Sequence, residues 1–245
     1  MKKVIDDIYL ENLYLNEIPE QLKDVEIHGS FGLRGNKIST LKNCPKFIQG
    51  SFDVSENKLK SLKDGPNFVG GSFDIHKNNL TSLEGMPHTI GKSVNLSENP
   101  ISSLVGMPSS LANSDLIIRK LPIKNLIGCS NNLRTLELIW CNDLIDLTGA
   151  PTSLNGNLNI HWCQNIKNFK GFPKSIKGNL VISECAIESL DGFPTYIGGK
   201  LDLIKPFNSE KLYKNLGTND VNQIRKIILS KFQWGTGYRS HEIEL

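Results

Sequence analysis

Apolar positions return along this chain at a fixed interval. SFDVSENKLKSLKDGP, from Ser51 to Pro66, recurs as SFDIHKNNLTSLEGMP at Ser72 to Pro87 and as SVNLSENPISSLVGMP at Ser93 to Pro108, a period of 21 residues. Phe52 and Val54 are two apart, so in an extended segment they point one way while Ser51, Asp53 and Ser55 point the other. Asn57 then ends the strand, and Leu59 and Leu62 bring apolar side chains back under the next copy. A repeat this short buries its apolar positions only against copies of itself, which predicts a solenoid.

The pattern extends in both directions. Residues 1–22 carry Ile8, Leu10, Leu13, Leu15, Ile18 and Leu22, read as a cap with one degenerate repeat. Strands are then predicted around Phe31, Phe52, Phe73, Val94, Leu116, Leu136, Leu158, Leu180 and Leu201. These nine strands stack to a sheet about 40 Å long. The spacing lengthens to 22 residues at Leu116, and Leu121 stands where Asn stood before. The two copies after it carry Trp-Cys and one extra residue. Beyond Pro206 the repeat is lost. Ser209 is positioned to cap a short helix ending at Gly217. Thr218 or Asp220 is positioned to cap a second, with Val221, Ile224, Ile227, Ile228 and Phe232 on one face. The tail GTGYRSHEIEL is expected to be loose. The predicted organisation is an N-terminal cap over 1–29, a repeat array over 30–206 and a helical C-terminal cap with tail over 207–245.

The order apolar-x-apolar-x-x-Asn-x-apolar-x-x-Leu resembles the leucine-rich-repeat signature. Its Gly-Pro punctuation resembles the repeats of bacterial effector proteins and of large tailed bacteriophages. The resemblance covers roughly 10–203. It implies a leucine-rich-repeat solenoid with a parallel β-sheet on one face, mostly extended or irregular return segments on the other, and a small α-helical C-terminal cap. Repeats of this kind serve many unrelated partners, so the resemblance speaks to fold more than to function. Effector ligases with such repeats carry a separate catalytic domain with a cysteine nucleophile. No Cys lies beyond Cys185 here, so that activity is not expected.

Composition narrows the partner. A net charge of +3 without a Lys/Arg run argues against a polyanion. MKKVIDDIYL lacks the uninterrupted apolar core of a signal peptide, and no stretch reaches the length of a membrane span. A cytoplasmic protein is expected, or one in the host cytoplasm if it is viral, with no membrane partner.

Repeat phase also assigns the polar residues. Asn36, Asn57, Asn78 and Asn99 are expected to form a ladder that bonds backbone groups along the turns. Cys141, Cys163 and Cys185 hold the same position in later copies, and Cys44 and Cys129 the slot before the Pro position. All five read as small core residues, so neither a metal nor a cofactor is expected. Gly50, Gly71, Gly91, Gly156, Gly178 and Gly198 precede strands and read as turn residues.

The outward positions escape the repeat constraint. One column runs Gly32, Asp53, Asp74, Asn95, Ile117, Glu137, Asn159, Val181, Asp202. The next runs Arg34, Ser55, His76, Ser97, Arg119, Ile139, His161, Ser183, Ile204, and the one beyond it Gly35, Glu56, Lys77, Glu98, Lys120, Trp140, Trp162, Glu184, Lys205. In the second half Ile117, Ile139, Trp140, His161, Trp162 and Val181 cluster inside a border of Arg119, Lys120, Glu137 and Glu184. Apolar and aromatic residues within a charged rim have the composition of a binding hot spot. The alternative is that the tryptophans fold over the sheet edge onto Asn142 and Gln164. His76 and His161 stand four strands apart and cannot share a site. Glu137 and His161 are neighbours, but no nucleophile joins them. The expectation is a non-enzymatic module binding a protein. A carbohydrate or cell-surface ligand stacked on the tryptophans, a single-stranded nucleic acid stacked the same way, and a structural spacer are the alternatives.

Overall fold

In the computed structural model the described residues are 3–111, 113–231, 233–234 and 241–244. They form a parallel β-solenoid. Its main sheet has eleven strands in strict chain order: Ile8–Tyr9, Phe31–Gly32, Phe52–Asp53, Phe73–Asp74, Ser93–Asn95, Ser114–Arg119, Leu133–Ile139, Leu158–His161, Leu180–Ser183, Leu201–Ile204 and His241–Glu244. The nine expected strands are all present, with one more at each end. Ile8 pairs with Phe31 because the cap segment keeps the alternation of a strand. His241–Glu244, expected to be loose, pairs in parallel with Leu201–Ile204 and extends the sheet. Phe232 and residues 235–240 lie outside the described residues.

The return segments also pair, where unpaired extended or irregular chain was expected. Lys3–Ile5, Val25–Ile27, Phe47–Ile48, Phe68–Val69 and Thr89–Ile90 form one parallel sheet. Ser153–Leu154, Ser175–Ile176, Tyr196–Ile197 and Gln233–Trp234 form another. Between Ile90 and Ser153 this second layer is interrupted. The main-sheet strands are longest there, and their register shifts between Ser114 and Leu116.

Stacking identical turns places like on like. Phe31, Phe52 and Phe73 lie one above another with ring centroids 5.4 and 5.7 Å apart, and all three are buried. The asparagine ladder is present as expected. Asn78 Nδ2 donates to Val54 O of the preceding turn at 3.0 Å and to Ile75 O of its own at 3.1 Å, while its Oδ1 accepts from Leu59 N at 2.9 Å. Asn57 and Asn99 repeat these contacts. The strand-preceding glycines have a different role from the one expected. Gly91 does not adopt a left-handed backbone; a Cβ there would collide with the carbonyl of Gly70 one turn below. The conformational requirement lies instead at the Gly-x-Pro corner, where Gly106 has φ of +101°.

Two helices follow the array, α1 (Ser209–Leu216) and α2 (Val221–Ser230). α1 is capped by Asn208 rather than Ser209: the Asn208 side chain accepts from Lys211 N, and Ser209 is already helical. Asp220 caps α2, as expected, and Gly217 ends α1 with a left-handed backbone. Leu212, Ile224 and Ile228 are buried in the same core as the repeats, whereas Val221 is exposed.

Each buried asparagine satisfies several backbone groups, so Asn78→Ala should lower the unfolding free energy by about 2 to 3 kcal/mol. Cys163→Ala, at the equivalent position of a later turn, should cost less. Urea denaturation of both variants checks this, and equal losses would show that the asparagine bonds are not what ties the turns.

Candidate functional site

The outward columns have the register read from the repeat. Asp53 faces Gly32 and Asp74; Ile117 faces Asn95 and Glu137; Val181 faces Asn159 and Asp202. In the second column Arg119, Ile139, His161, Ser183 and Ile204 are successive neighbours. Ile117, Ile139, His161 and Val181 are half-buried between their strand neighbours. Trp140 and Trp162 are 45% and 41% exposed, which makes them the main apolar surface of the cluster.

The third column is not part of the strands. Glu56, Lys77, Glu98, Lys120, Trp140, Trp162, Glu184 and Lys205 follow the strand ends, and every one has a left-handed backbone with φ between +45° and +55°. This conformation turns the chain off the sheet toward the buried residue that follows, Asn or Cys in six of these turns, Leu121 and Pro206 in the other two. Because each turn repeats it, the side chains form a ladder along the edge of the face. Its rungs pair by type. Glu56 lies 3.6 Å from Lys77, Glu98 3.5 Å from Lys120, and Glu184 4.0 Å from Lys205. Between the second and third ion pairs stand the tryptophans, ring centroids 5.2 Å apart and 30° from parallel. Lys120 Nζ lies 5.3 Å from the centre of the Trp140 ring, on a cation–π contact.

The tryptophans therefore pack on each other and on Lys120, not on the inserted residues. Gln164 donates to Glu184 O at 2.6 Å. Asn142, with Asp143, Lys120, Leu121, Pro122 and Trp140, lines an open groove of about 520 Å³. The extra residue between Cys141 and Leu144 opens this groove. The irregular Cys-to-Leu spacing was its sequence signal, although Pro122 and Asp143 were not among the expected site residues. A larger hollow of about 640 Å³ lies at the Gly-Pro corner of the first half, where Lys46 Nζ is tied to the carbonyls of Asp64 and Gly65.

The charged residues of the site are matched internally. Arg119 donates to Glu137, and Glu137 is near enough for its charge to act on His161, as expected of neighbours. His161 Nδ1 shares a hydrogen bond with Ser183 Oγ at 2.5 Å. Burial holds the His161 pKa below the usual imidazole value, partly offset by the charge of Glu137. In the first half, His76 Nδ1 bonds Asp74 Oδ1 at 2.7 Å and Arg34 bonds Glu56 at the same distance.

The cysteines are all free and buried. The Cys141 thiol lies within sulfur hydrogen-bond reach of Ile118 O at 3.7 Å, and Cys163 of Leu138 O at 3.8 Å, in the places where asparagine amides donate in earlier turns. Burial pushes the Cys129 thiol up to about 12 and Cys185 up to about 11. Among the described residues no group of three or more His, Cys, Asp or Glu side chains could hold a metal ion. No described helix is long and apolar enough to cross a membrane. Compared with protein families, curated proteins and solved structures, the chain matches none.

The thiolate is the reactive form. Burial raises the pKa of Cys44, Cys129 and Cys185, and the contact with Cys141 together with burial raises that of Cys163, whereas hydrogen bonding with Cys163 lowers that of Cys141, which burial alone shields from reagents. All five cysteines should stay unreactive toward a thiol reagent at about pH 8 in the folded protein and react together in denaturant. Fast reaction of Cys141, Cys163 or Cys185 under native conditions would place that column at the surface.

Proposed function

We propose that this chain is a short, Gly-Pro-punctuated leucine-rich-repeat protein that acts as a non-enzymatic interaction module, binding a protein partner through the outward face of the main sheet. A phage or bacterial protein acting on a host factor is the setting that the repeat resemblance supplies. The asparagine ladder and the 21-residue turn support the repeat class. One observation carries the function: an exposed tryptophan pair interrupts a ladder that is otherwise built from Glu–Lys ion pairs.

Glu and Lys at this position show that the fold does not need an aromatic residue there. Stacking and the Lys120 contact stabilise the pair within the monomer, yet Trp140 and Trp162 remain 45% and 41% exposed, with apolar surface in water. Their covering by another molecule removes apolar area from water, which is where stabilisation becomes available. A rigid sheet face suits such a role, because few backbone groups need ordering on binding.

The ladder itself supplies the test. Trp140→Glu with Trp162→Lys continues the alternation of the neighbouring rungs, so the urea midpoint should stay within about 0.5 kcal/mol of wild type. Pull-down from host-cell lysate should lose the partner with this variant, and affinity for the purified partner should fall at least about thirtyfold. A variant that folds normally and retains the same proteins would remove this face from the reading, leaving a structural spacer as the alternative.

A further inference from the structure

The chemistry of the partner can be narrowed from how the tryptophans stand. They occupy the same position of successive turns, so their rings stack along the solenoid axis. Trp140 has Lys120 over one face and Trp162 on the other. Trp162 stands between Trp140 and the next rung, Glu184, with His161 tilted against it at 5.8 Å. With turns about 4.8 Å apart there is no room for a further ring or sugar between rungs. The pair therefore turns its edges to solvent. A sugar or nucleobase platform requires an open ring face, which Trp140, between Lys120 and Trp162, does not offer.

An aromatic edge carries partial positive charge, and among the described residues neither indole N–H has a hydrogen-bond partner. Such an edge attracts carbonyl oxygens and the faces of other aromatic rings. The charges bordering the pair are mostly matched, with Asp143 in the adjoining groove outside the ion pairs of the described residues. Arg119 faces Glu137, Lys120 faces Glu98, Glu184 faces Lys205, and Lys200 faces Asp202 at 3.9 Å. His161 is held toward its neutral form.

Resting on the proposed binding role, we infer that the occupant is an uncharged protein segment that sets an aromatic side chain, flanked by main-chain carbonyls, edge to face against Trp140 and Trp162. Association is then driven by apolar burial and is nearly independent of salt.

A displayed random-peptide library selected on the wild-type protein, and in parallel on Trp140→Glu/Trp162→Lys, tests this. Peptides enriched by the wild type alone should carry Trp, Tyr or Phe with little net charge. Their Kd should change less than about threefold between low and high salt, because there are few exposed charges to screen. Enrichment confined to the wild type but of charged peptides with steep salt dependence overturns the partner chemistry while leaving the site in place. The same peptides selected by both proteins overturn the site itself. A wild-type selection that enriches nothing, or a glycan or single-stranded oligonucleotide that binds the wild type and not the variant, overturns the inference of a peptide partner.

Discussion

In the repeat array each strand side chain is flanked by the side chains at the same position one turn above and one turn below. That follows from parallel, in-register pairing of strands about 4.8 Å apart, and the rest of the structure answers to it. A residue type is tolerated in a column only if it can sit against its own kind. Phenylalanine does so by stacking, as Phe31, Phe52 and Phe73 do. Asparagine does so because one amide carries both donor and acceptor, reaching carbonyls with Nδ2 and receiving a neighbouring N–H on Oδ1. Charges of one sign repel at this spacing, and the outer ladder alternates Glu with Lys, whereas Asp53 and Asp74 stand side by side with their carboxylates turned to hydrogen-bond partners at Ser55 and His76. Tryptophan on tryptophan satisfies the same rule without charge, which is how an apolar patch enters the ladder without disturbing the turns.

The asparagine and cysteine halves solve one problem differently. Where Asn36, Asn57, Asn78 and Asn99 hold the inner corner, the main-sheet strands before them are two or three residues long. From Leu121 onward, through the cysteines, they run from four to seven. An amide side chain bonds the carbonyls at the strand end and the N–H beyond the corner. A thiol is a weak donor and offers little to that N–H. The backbone bonds between turns reach the same corner in both halves, from Glu56 N to His76 O as from Trp140 N to His161 O, so the thiol turns keep the main-chain ties and lose only those of the side chain. The changeover falls where the second layer is interrupted between Ile90 and Ser153, so the two halves meet at a seam in both sheets.

Much of this was legible because the fold is a counting problem. The columns headed by Gly32 and Arg34 were read from the repeat phase alone, including the 22-residue steps, and the strand pairings reproduce the first throughout and the second from Arg119 to Ile204. Buried Cys141, Cys163 and Cys185 were placed by the same phase. What escaped was set by close packing and backbone conformation, which a periodic pattern does not encode. The collision that reserves Gly91 depends on how near Gly70 lies across the turn. The second sheet is built from strands as short as Phe47–Ile48, too brief for an alternation to be seen. The left-handed backbone at Trp140 and Trp162 had one faint sign, a glycine at Gly35 in the same column. The tail strand of His241–Glu244 has no copy with which to align.

That left-handed conformation bears on how the tryptophans are weighed. Bulky residues with positive φ are uncommon, and such strain often marks a functional site. Here the inference does not go through. Thirteen described non-glycine residues have positive φ, among them the Glu and Lys rungs on either side of the tryptophans. The strain belongs to the repeated corner of the array, whether Asn, Cys, Leu121 or Pro206 follows it. What distinguishes Trp140 and Trp162 is that they occupy a strained rung with apolar surface in water, where Glu and Lys serve elsewhere. The backbone cost is common to all rungs, so the difference between them lies in the side chain alone: ion pairs elsewhere, and at Trp140 and Trp162 a stacked aromatic pair that leaves apolar surface exposed.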